Sequence, residues 1–238
     1  MWYPQEKEEL ERELDMFLNG GKINRKKPQM SAHGLIVPHA GYEFSGKIAG
    51  KAFSLIKNQK IKRAVILGPS HYFPLSGALT SNKEKWETAL GDVKIFKTDF
   101  KEAKIEQEHS IDNQIPFLQR LGIKEIMPLV IGELTNGQAK EIAEKLSKIP
   151  ALYVFSTDLS HFLPYEQALK KDKETIKLIE NLDLKNFHKI DACGFYPLLV
   201  MMHLCKLKNL KPHLVEYKNS GDITGEKSSV VGYASFWF

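Results

Sequence analysis

Residues 34–42 read GLIVPHAGY, four apolar or small residues followed by a proline and then His39. Two further apolar runs lead to a histidine. Residues 64–71 read AVILGPSH, again with a proline, and residues 151–161 read ALYVFSTDLSH, without one. Short apolar runs rich in β-branched or aromatic residues are typical of buried strands in a parallel sheet. Parallel strands end at one edge and neighbours lie about 4.8 Å apart, so we expect these histidines to converge there.

The segments between these runs carry helical patterns that can supply the crossovers of a parallel sheet. The sequence therefore predicts one α/β domain over residues 1–238, with a central, mostly parallel sheet, antiparallel edge strands and helices on both faces. The predicted helices cover residues 5–18, a segment from Ser45, 111–121 with Ser110 as N-cap, 135–148, 165–181, 184–190 and 198–207 behind Pro197. The further predicted strands are 126–131, 214–217 paired with 230–238, and an antiparallel excursion over 76–97 with a turn at Gly91.

Composition narrows the functional classes. The 238 residues are 42% hydrophobic and 26% charged, which is ordinary for a soluble globular protein. The net charge is +5, but only four of the 34 basic residues are arginine, so we predict no nucleic-acid partner. No apolar segment approaches the ~20 residues of a membrane span, and no signal peptide is evident. We therefore expect no membrane association and a cytoplasmic location, with residues 22–28 as a basic, solvated loop.

Metal binding is the chemistry that the strand-end histidines favour. His39 and His71 each follow a strand after a proline-containing turn, and neutral imidazole is the commonest side-chain metal ligand. Cys193 is the natural third ligand, since it precedes a predicted helix start where the dipole favours a thiolate. Gly194 beside it would permit an unusual backbone angle. The alternatives are buried histidines bonded to backbone and a buried apolar cysteine, which describes Cys205 well.

Three further groups could handle protons or close the pocket. Asp158 and His161 are three residues apart in a predicted strand-to-helix loop, where an acid can orient a histidine and a histidine can move protons. The competing interpretation makes Asp158 or Ser160 a helix N-cap. His109 could close the pocket from its own helix start, with Glu108 beside it. The remaining histidines lack the pattern, and His33 precedes its strand at the opposite end of the sheet.

Six short motifs occur along the chain: WYP at 2–4, PHAGY at 38–42 with SG at 45–46, GPSH at 68–71, EHSI at 108–111, DLSH at 158–161 and CG at 193–194. Taken together and in this order, they resemble the motifs of the MEMO family over nearly the whole chain. Microbial members are often called AmmeMemoRadiSam system protein B, after relatives linked with a radical-SAM domain. The family fold is similar to that of class III extradiol dioxygenases, which hold non-haem Fe(II) with two histidines and a carboxylate.

The resemblance implies roles for individual residues. His39, His71 and Cys193 match the family's metal ligands, and Asp158 and His161 match its pocket acid and histidine. A thiolate in place of the dioxygenase carboxylate shifts the metal preference toward copper or zinc and away from ring cleavage. A second departure is an aspartate at position 112, directly after EHSI, where the family usually has glutamate. The family's animal members are implicated in phosphotyrosine-peptide binding and in copper- or iron-dependent redox chemistry.

Three functions remain open on the sequence. The first is a metal-dependent oxidoreductase that acts on a small molecule with one iron or copper ion (zinc is also compatible), functionally linked to a radical-SAM protein. The second is a cysteine-dependent hydrolase with Cys193 as nucleophile and His39 or His161 as base. The third is a module that binds a peptide in the same pocket, where Tyr42 and Trp2 would supply aromatic contacts.

Overall fold

The computed structural model describes residues 2–20, 32–105 and 108–238, so the predicted basic loop at 22–28 lies outside the described residues. Eleven strands form one sheet within the described part. They are β1 (Gly34–Val37), β2 (Arg63–Pro69), β3 (Ala78–Ser81), β4 (Lys85–Trp86), β5 (Val93–Ile95), β6 (Lys101–Ala103), β7 (Glu125–Ile131), β8 (Leu152–Ser156), β9 (His161–Leu163), β10 (His213–Asn219) and β11 (Val230–Trp237).

Helices connect the strands and cover the sheet. They are α1 (Lys7–Asn19), α2 (Lys47–Ser54), α3 (His109–Asp112), α4 (Ile115–Arg120), α5 (Asn136–Ser147), α6 (Tyr165–Glu180), α7 (Phe195–Lys208) and α8 (Ser220–Thr224), with a π-helical turn at Tyr42–Gly46 and a 3-10 helix at Leu184–Lys189. No helix in the described ranges combines the length and the apolar composition that crossing a bilayer requires.

The main path of the sheet runs β10-β11-β1-β8-β2-β7-β3-β6. Its centre, β1, β8, β2 and β7, is parallel throughout. Antiparallel pairing begins on either side, between β1 and β11 and between β7 and β3. The predicted α/β fold is therefore confirmed, and so is the pairing of the two C-terminal strands.

Burial on both faces explains why the central strands read as continuous apolar runs. In β2, Val65 and Leu67 pack into a core that includes α5 and α7, whereas Ala64 and Ile66 pack into the core of α1, α2 and α4. All four side chains are fully buried. A strand with helices on both sides has no solvent face, so it keeps no polar alternation.

The helix predicted over 111–121 with Ser110 as N-cap is wrong in its start. Ser110 lies inside α3, and its hydroxyl donates to the carbonyl of Pro69 at 3.0 Å. Glu108 is the N-cap instead, because its carboxylate accepts from the Ser110 N–H at 3.1 Å. The predicted helix is also divided into α3 and α4. Both residues are therefore held at the sheet edge, Ser110 through its hydroxyl and Glu108 through its carboxylate, and the carboxylate is the group that caps the helix.

The predicted antiparallel excursion over 76–97 is right only in part. The turn at Gly91 exists, with φ of 100°, but it joins β4 to β5 instead of β3 to β5. The strand β5 then pairs with β7 in parallel.

Two other helix starts differ from those predicted. A π-helical turn at Tyr42 precedes the helix expected from Ser45, and α7 begins at Phe195, before Pro197.

Candidate metal centre

His39 lies just past the end of β1, and every polar atom of its ring faces a partner. Its Nδ1 is 2.9 Å from the hydroxyl of Ser156, at the end of the neighbouring strand β8. Its Nε2 is 3.2 Å from Sγ of Cys193. The ring is buried, and this burial, followed by the charges of His71 and His109, holds its pKa well below the ordinary value. His39 is therefore neutral, the form that binds metals.

The turn that carries His39 is fastened from two sides. Its backbone N–H donates to Oδ1 of Asp158 at 2.8 Å, and its carbonyl accepts from the Asn113 side chain at 2.7 Å. The Gln114 amide donates both to the carbonyl of Pro38 and to the Ser156 hydroxyl, at 3.0 Å each. The ring position is thus set by the end of β8 and the residues after it, and by the two residues that link α3 to α4.

His71 follows β2 and is oriented by Glu108. The carboxylate accepts from the backbone N–H of His71 at 2.7 Å and contacts the ring Nδ1 at 2.8 Å. Burial acts to raise the pKa of Glu108, but the hydrogen bonds from His71 and from the Ser110 backbone outweigh it and lower the pKa. Glu108 is ionised and can only accept, so Nδ1 of His71 carries the proton and the lone pair of Nε2 remains available to a metal ion.

Cys193 lies one residue before the helix cap Gly194. Its Sγ accepts from the backbone N–H of Asp158 at 3.2 Å. Gly194 has φ of −82°, so the expected unusual backbone angle is absent. A glycine is required there for another reason, because a Cβ would lie 2.5 Å from Cβ of Thr157. The close approach of α7 to β8 places the thiol beside His39.

The thiol is not ionised by its surroundings, contrary to the expectation from the helix start. Burial, followed by the charge of Asp158, raises the pKa of Cys193 to about 12. The nearby helix start does not offset these two effects. A bound metal ion would displace this proton, because thiolate is the form that ligates. Both cysteines, Cys193 and Cys205, are free thiols.

His39, His71 and Cys193 each offer one ligand atom, and the three atoms lie within 4.8 Å of one another. One ion with bonds of about 2.0 to 2.3 Å to nitrogen and sulfur can reach all three. Both imidazoles also have a partner on their second nitrogen, as ligating histidines almost always do. The donor set therefore fits a transition metal. Three protein ligands leave a position open, which is typical of catalytic sites.

His109 forms an aromatic layer over this site. Its ring centroid lies 4.4 Å from that of His71 and 5.3 Å from that of His39. Trp2 stacks on its other side at 4.1 Å, with 6° between the planes, so the N-terminal segment does reach the strand-end site. The hydroxyl of Tyr72 lies 3.0 Å from its Nδ1. Burial, followed by the charge of His71, lowers the pKa of His109 to about 4.

A second group, His71, Glu108 and His109, also brings metal-ligand atoms together. However, the Glu108 oxygens already accept from two backbone N–H groups and the His71 ring. This carboxylate is therefore committed to orienting His71. We assign it a supporting role and not that of a ligand.

Asp158 does not orient His161, and neither Asp158 nor Ser160 is an N-cap. The helix α6 begins later, after Pro164, and His161 lies in β9. Asp158 instead holds the backbone of the turn at His39. Burial raises its pKa to about 7, although hydrogen bonds from the His39 and Ala40 backbone act to lower it. Burial also lowers the pKa of His161, which interacts electrostatically with His39 and His71.

Tyr42 is the sequence-predicted site residue that the structure places in the core. It is buried, its hydroxyl donates to the carbonyl of Asn113 at 2.8 Å, and its ring packs against Phe17 and Phe117. Conversely, sequence reasoning missed the roles of Glu108 and Ser156. The only available signal for Glu108 was its place directly before His109, and for Ser156 its place at the end of β8.

Comparison with known proteins shows a match over the whole chain. A family described as Memo-like protein matches residues 1–237. A MEMO1 family protein of Sulfurisphaera tokodaii is 34% identical over 100% of this chain and 96% of its own length. One from Aquifex aeolicus is 34% identical over the same shares, and one from Methanobrevibacter smithii is 36% identical over 99% and 95%.

Proposed function

The chain belongs to the Memo-like family, and from this premise we propose that it is a metal-dependent oxidoreductase acting on a small molecule. One iron or copper ion would be held by His39, His71 and Cys193, with zinc as a further compatible ion. The observation that carries this proposal is the convergence of two oriented imidazoles and one thiol within 4.8 Å. Among these metals the soft thiolate favours copper.

The residues around the three proposed ligands would transfer protons and exclude water. A bound ion at an open site supplies redox or Lewis-acid chemistry. Asp158, with a pKa of about 7, could take up or release a proton near neutral pH, and the neutral rings of His109 and His161 could accept one. Trp2 covers His109 and would exclude water from that side of the site.

Elemental analysis of the full chain, purified without a metal-affinity tag, tests this proposal together with an oxygen-uptake screen. We expect about one iron or copper ion per chain, and loss of the ion in His39→Ala and Cys193→Ser. Retention of the metal by both variants would place it elsewhere. A wild-type chain that takes up neither metal after supplementation would overturn the proposal.

One distance favours a cysteine-dependent hydrolase as a second candidate. Sγ of Cys193 is 3.2 Å from Nε2 of His39, which is within reach for a nucleophile and its base. The electrostatics oppose it, since burial raises the pKa of the thiol and lowers that of the imidazole, so an ion pair is disfavoured. Rapid labelling of Cys193 by iodoacetamide at pH 7, unaffected by chelator, would favour the hydrolase.

Peptide binding in the same pocket is the third candidate. Trp2 is 42% exposed while stacked on His109, so a free aromatic face lies beside the site. Tyr42 offers no such face, because it is buried. Titration of the pure chain with peptides separates this candidate from the enzyme. The same titration of Trp2→Phe, the matched variant, tests whether the peptide contacts Trp2. The link to a radical-SAM protein stays a prediction from the family resemblance.

A further inference from the structure

A cleft of about 480 Å³ opens beside the candidate metal centre. It lies between the loop after β2, the end of β7 and the first turn of α7, and Cys193 is one of its lining residues. Its volume is within the range of small-molecule binding sites. Of the three candidate metal ligands, only Cys193 lines the cleft, and neither His39 nor His71 is among its lining residues.

Backbone hydrogen bonds fix the loop after β2, which forms one wall of the cleft, without any ligand. The N–H of Glu133 donates to the carbonyl of Leu75 at 2.8 Å, and the N–H of Gly132 donates to the carbonyl of Gly77 at 2.9 Å. A Cβ at Gly132 would overlap the carbonyl of Leu75, so the loop packs directly on the end of β7. A ligand would enter a cleft whose shape is already fixed, and such a cleft binds at a lower entropic cost.

The cleft has few polar side chains, and two of them, Ser70 and Cys193, already have partners, because the Ser70 hydroxyl donates to the carbonyl of Phe73 at 2.6 Å and Cys193 accepts from the Asp158 N–H. Glu133 is the only charged lining residue, and its carboxylate has no ion-pair or hydrogen-bond partner within the described residues. The hydroxyl of Tyr196 likewise makes no hydrogen bond there. Although the chain has 34 basic residues, none of them lines this cleft. The apolar lining comes from Pro69, Phe73, Pro74, Leu75 and Ile131.

We propose that this cleft binds a small organic amine with an apolar body. The ammonium group would pair with Glu133 and donate to the Tyr196 hydroxyl, and the apolar body would pack between Phe73 and Leu75. The opposite end of the molecule would then face Cys193. As an assignment of substrate class this rests on the proposed function, whereas binding of the amine itself requires no metal.

The test is a titration of chelator-treated full-length protein with benzylamine, followed by backbone amide chemical shifts. Benzyl alcohol is the neutral analogue and benzoate the anionic one. We expect saturable shifts around Gly132 and Tyr196 for benzylamine, with weaker binding of the alcohol and none of benzoate. Glu133 is exposed, so Glu133→Gln should weaken benzylamine binding at most about fivefold, the scale of an exposed ion pair. Tyr196→Phe should weaken it less.

Glu141→Gln is the matched control, because it removes the same charge from an exposed position of α5. This variant should bind benzylamine as the wild type does. Equal affinity of Glu133→Gln and wild type, equal affinity for amine and alcohol, or shifts spread over the surface would overturn the inference. Metal binding is measured separately by calorimetry, so loss of the proposed ion site would leave this result unchanged, and the reverse also holds.

Discussion

Glu108 accepts two hydrogen bonds from His71, one from its backbone N–H and one from its ring Nδ1. Glu108→Gln keeps the shape but replaces one accepting oxygen by a donor, so the ring is no longer held in one tautomer. We expect metal affinity to fall about 10- to 100-fold, as it does when partners of ligating histidines are lost. Calorimetric titration with copper and with iron measures the change. Glu174→Gln on the exposed face of α6 is the control, and equal affinities of the two variants would contradict the role of Glu108.

Cys193→Ser should cost more metal affinity than the roughly hundredfold attributed to a supporting hydrogen bond, because it removes a ligand. The pKa of Cys193 is about 12, so the thiol is protonated at neutral pH and must lose its proton on binding. Apparent affinity should therefore weaken about tenfold for each unit by which the pH falls. Cys205→Ser, a buried core change away from the cluster, should keep both affinity and slope. A pH-independent affinity in the wild type would remove Cys193 from the ligand set.

Trp2→Ala should raise the pKa of His109 from about 4 toward its ordinary value. Burial is the largest cause of the depression, and Trp2 stacks directly on the ring. Titration of the histidine ring signals by NMR measures this change. Phe162→Ala removes an exposed aromatic residue beside His161 instead, and it should leave His109 unaltered. If the pKa of His109 stays low in Trp2→Ala, its burial is due to other neighbours.

Gly194→Ala should destabilise the protein by about 1–3 kcal/mol, the usual cost of overpacking. The new methyl group would lie 2.5 Å from Cβ of Thr157 and 2.9 Å from the carbonyl of Ser156. Gly137→Ala is the matched change in α5, where the nearest atom is 4.0 Å away. That variant should be stabilised by about 0.5–1 kcal/mol, because alanine loses less backbone entropy in a helix. Urea unfolding gives both values, and equal stabilities would refute the close approach at Gly194.

Asp172 makes stability depend on pH. It is buried, and burial raises its pKa although hydrogen bonds from Ser160 and Tyr217 act to lower it. The native state therefore binds its proton more tightly than the unfolded chain, whose pKa is about 3.9. The contribution of this group to stability is largest below that value and is lost as pH rises through the raised pKa. Asp172→Asn should thus gain stability relative to wild type as pH rises. A stability difference between the two proteins that does not change with pH would show that the fold leaves the pKa of Asp172 unraised.

The local sequence pattern is sufficient to predict a strand where both faces of that strand are buried. The runs 34–37, 64–68, 126–131 and 151–156 are strands because both of their faces are covered, and this burial is written directly into the sequence. The pairing of β5 with β7 is not predictable from this local pattern, because the turn signal at Gly91 indicates only the strand that pairs with β5 across the turn. A partner that lies about thirty residues further along the chain leaves no such signal.

The candidate ligands could be predicted from the sequence, whereas the residue that orients one of them could not. His39 and His71 could be proposed from their positions after strands, and the structure brings both rings and Cys193 together. Glu108 could not, because a glutamate at a helix start is ordinary and only the approach of α3 to β2 gives it two hydrogen bonds from His71. The pKa of Cys193 was misjudged for a related reason. The helix dipole can be inferred from sequence, whereas the degree of burial that outweighs it depends on tertiary packing.

The contact between His39 and Cys193 joins positions 154 residues apart in the chain. Closing so long a loop has an entropic cost, which the pairing of β1 with β8 and the packing of α7 on the end of β8 offset. We therefore expect the His39 ring and the Cys193 thiol to meet during refolding only once β1 has paired with β8 and α7 has packed against the end of β8. If the chain binds a metal as proposed, the rate at which a refolding chain takes up that metal would then report the pairing of β1 with β8 and the packing of α7 against them.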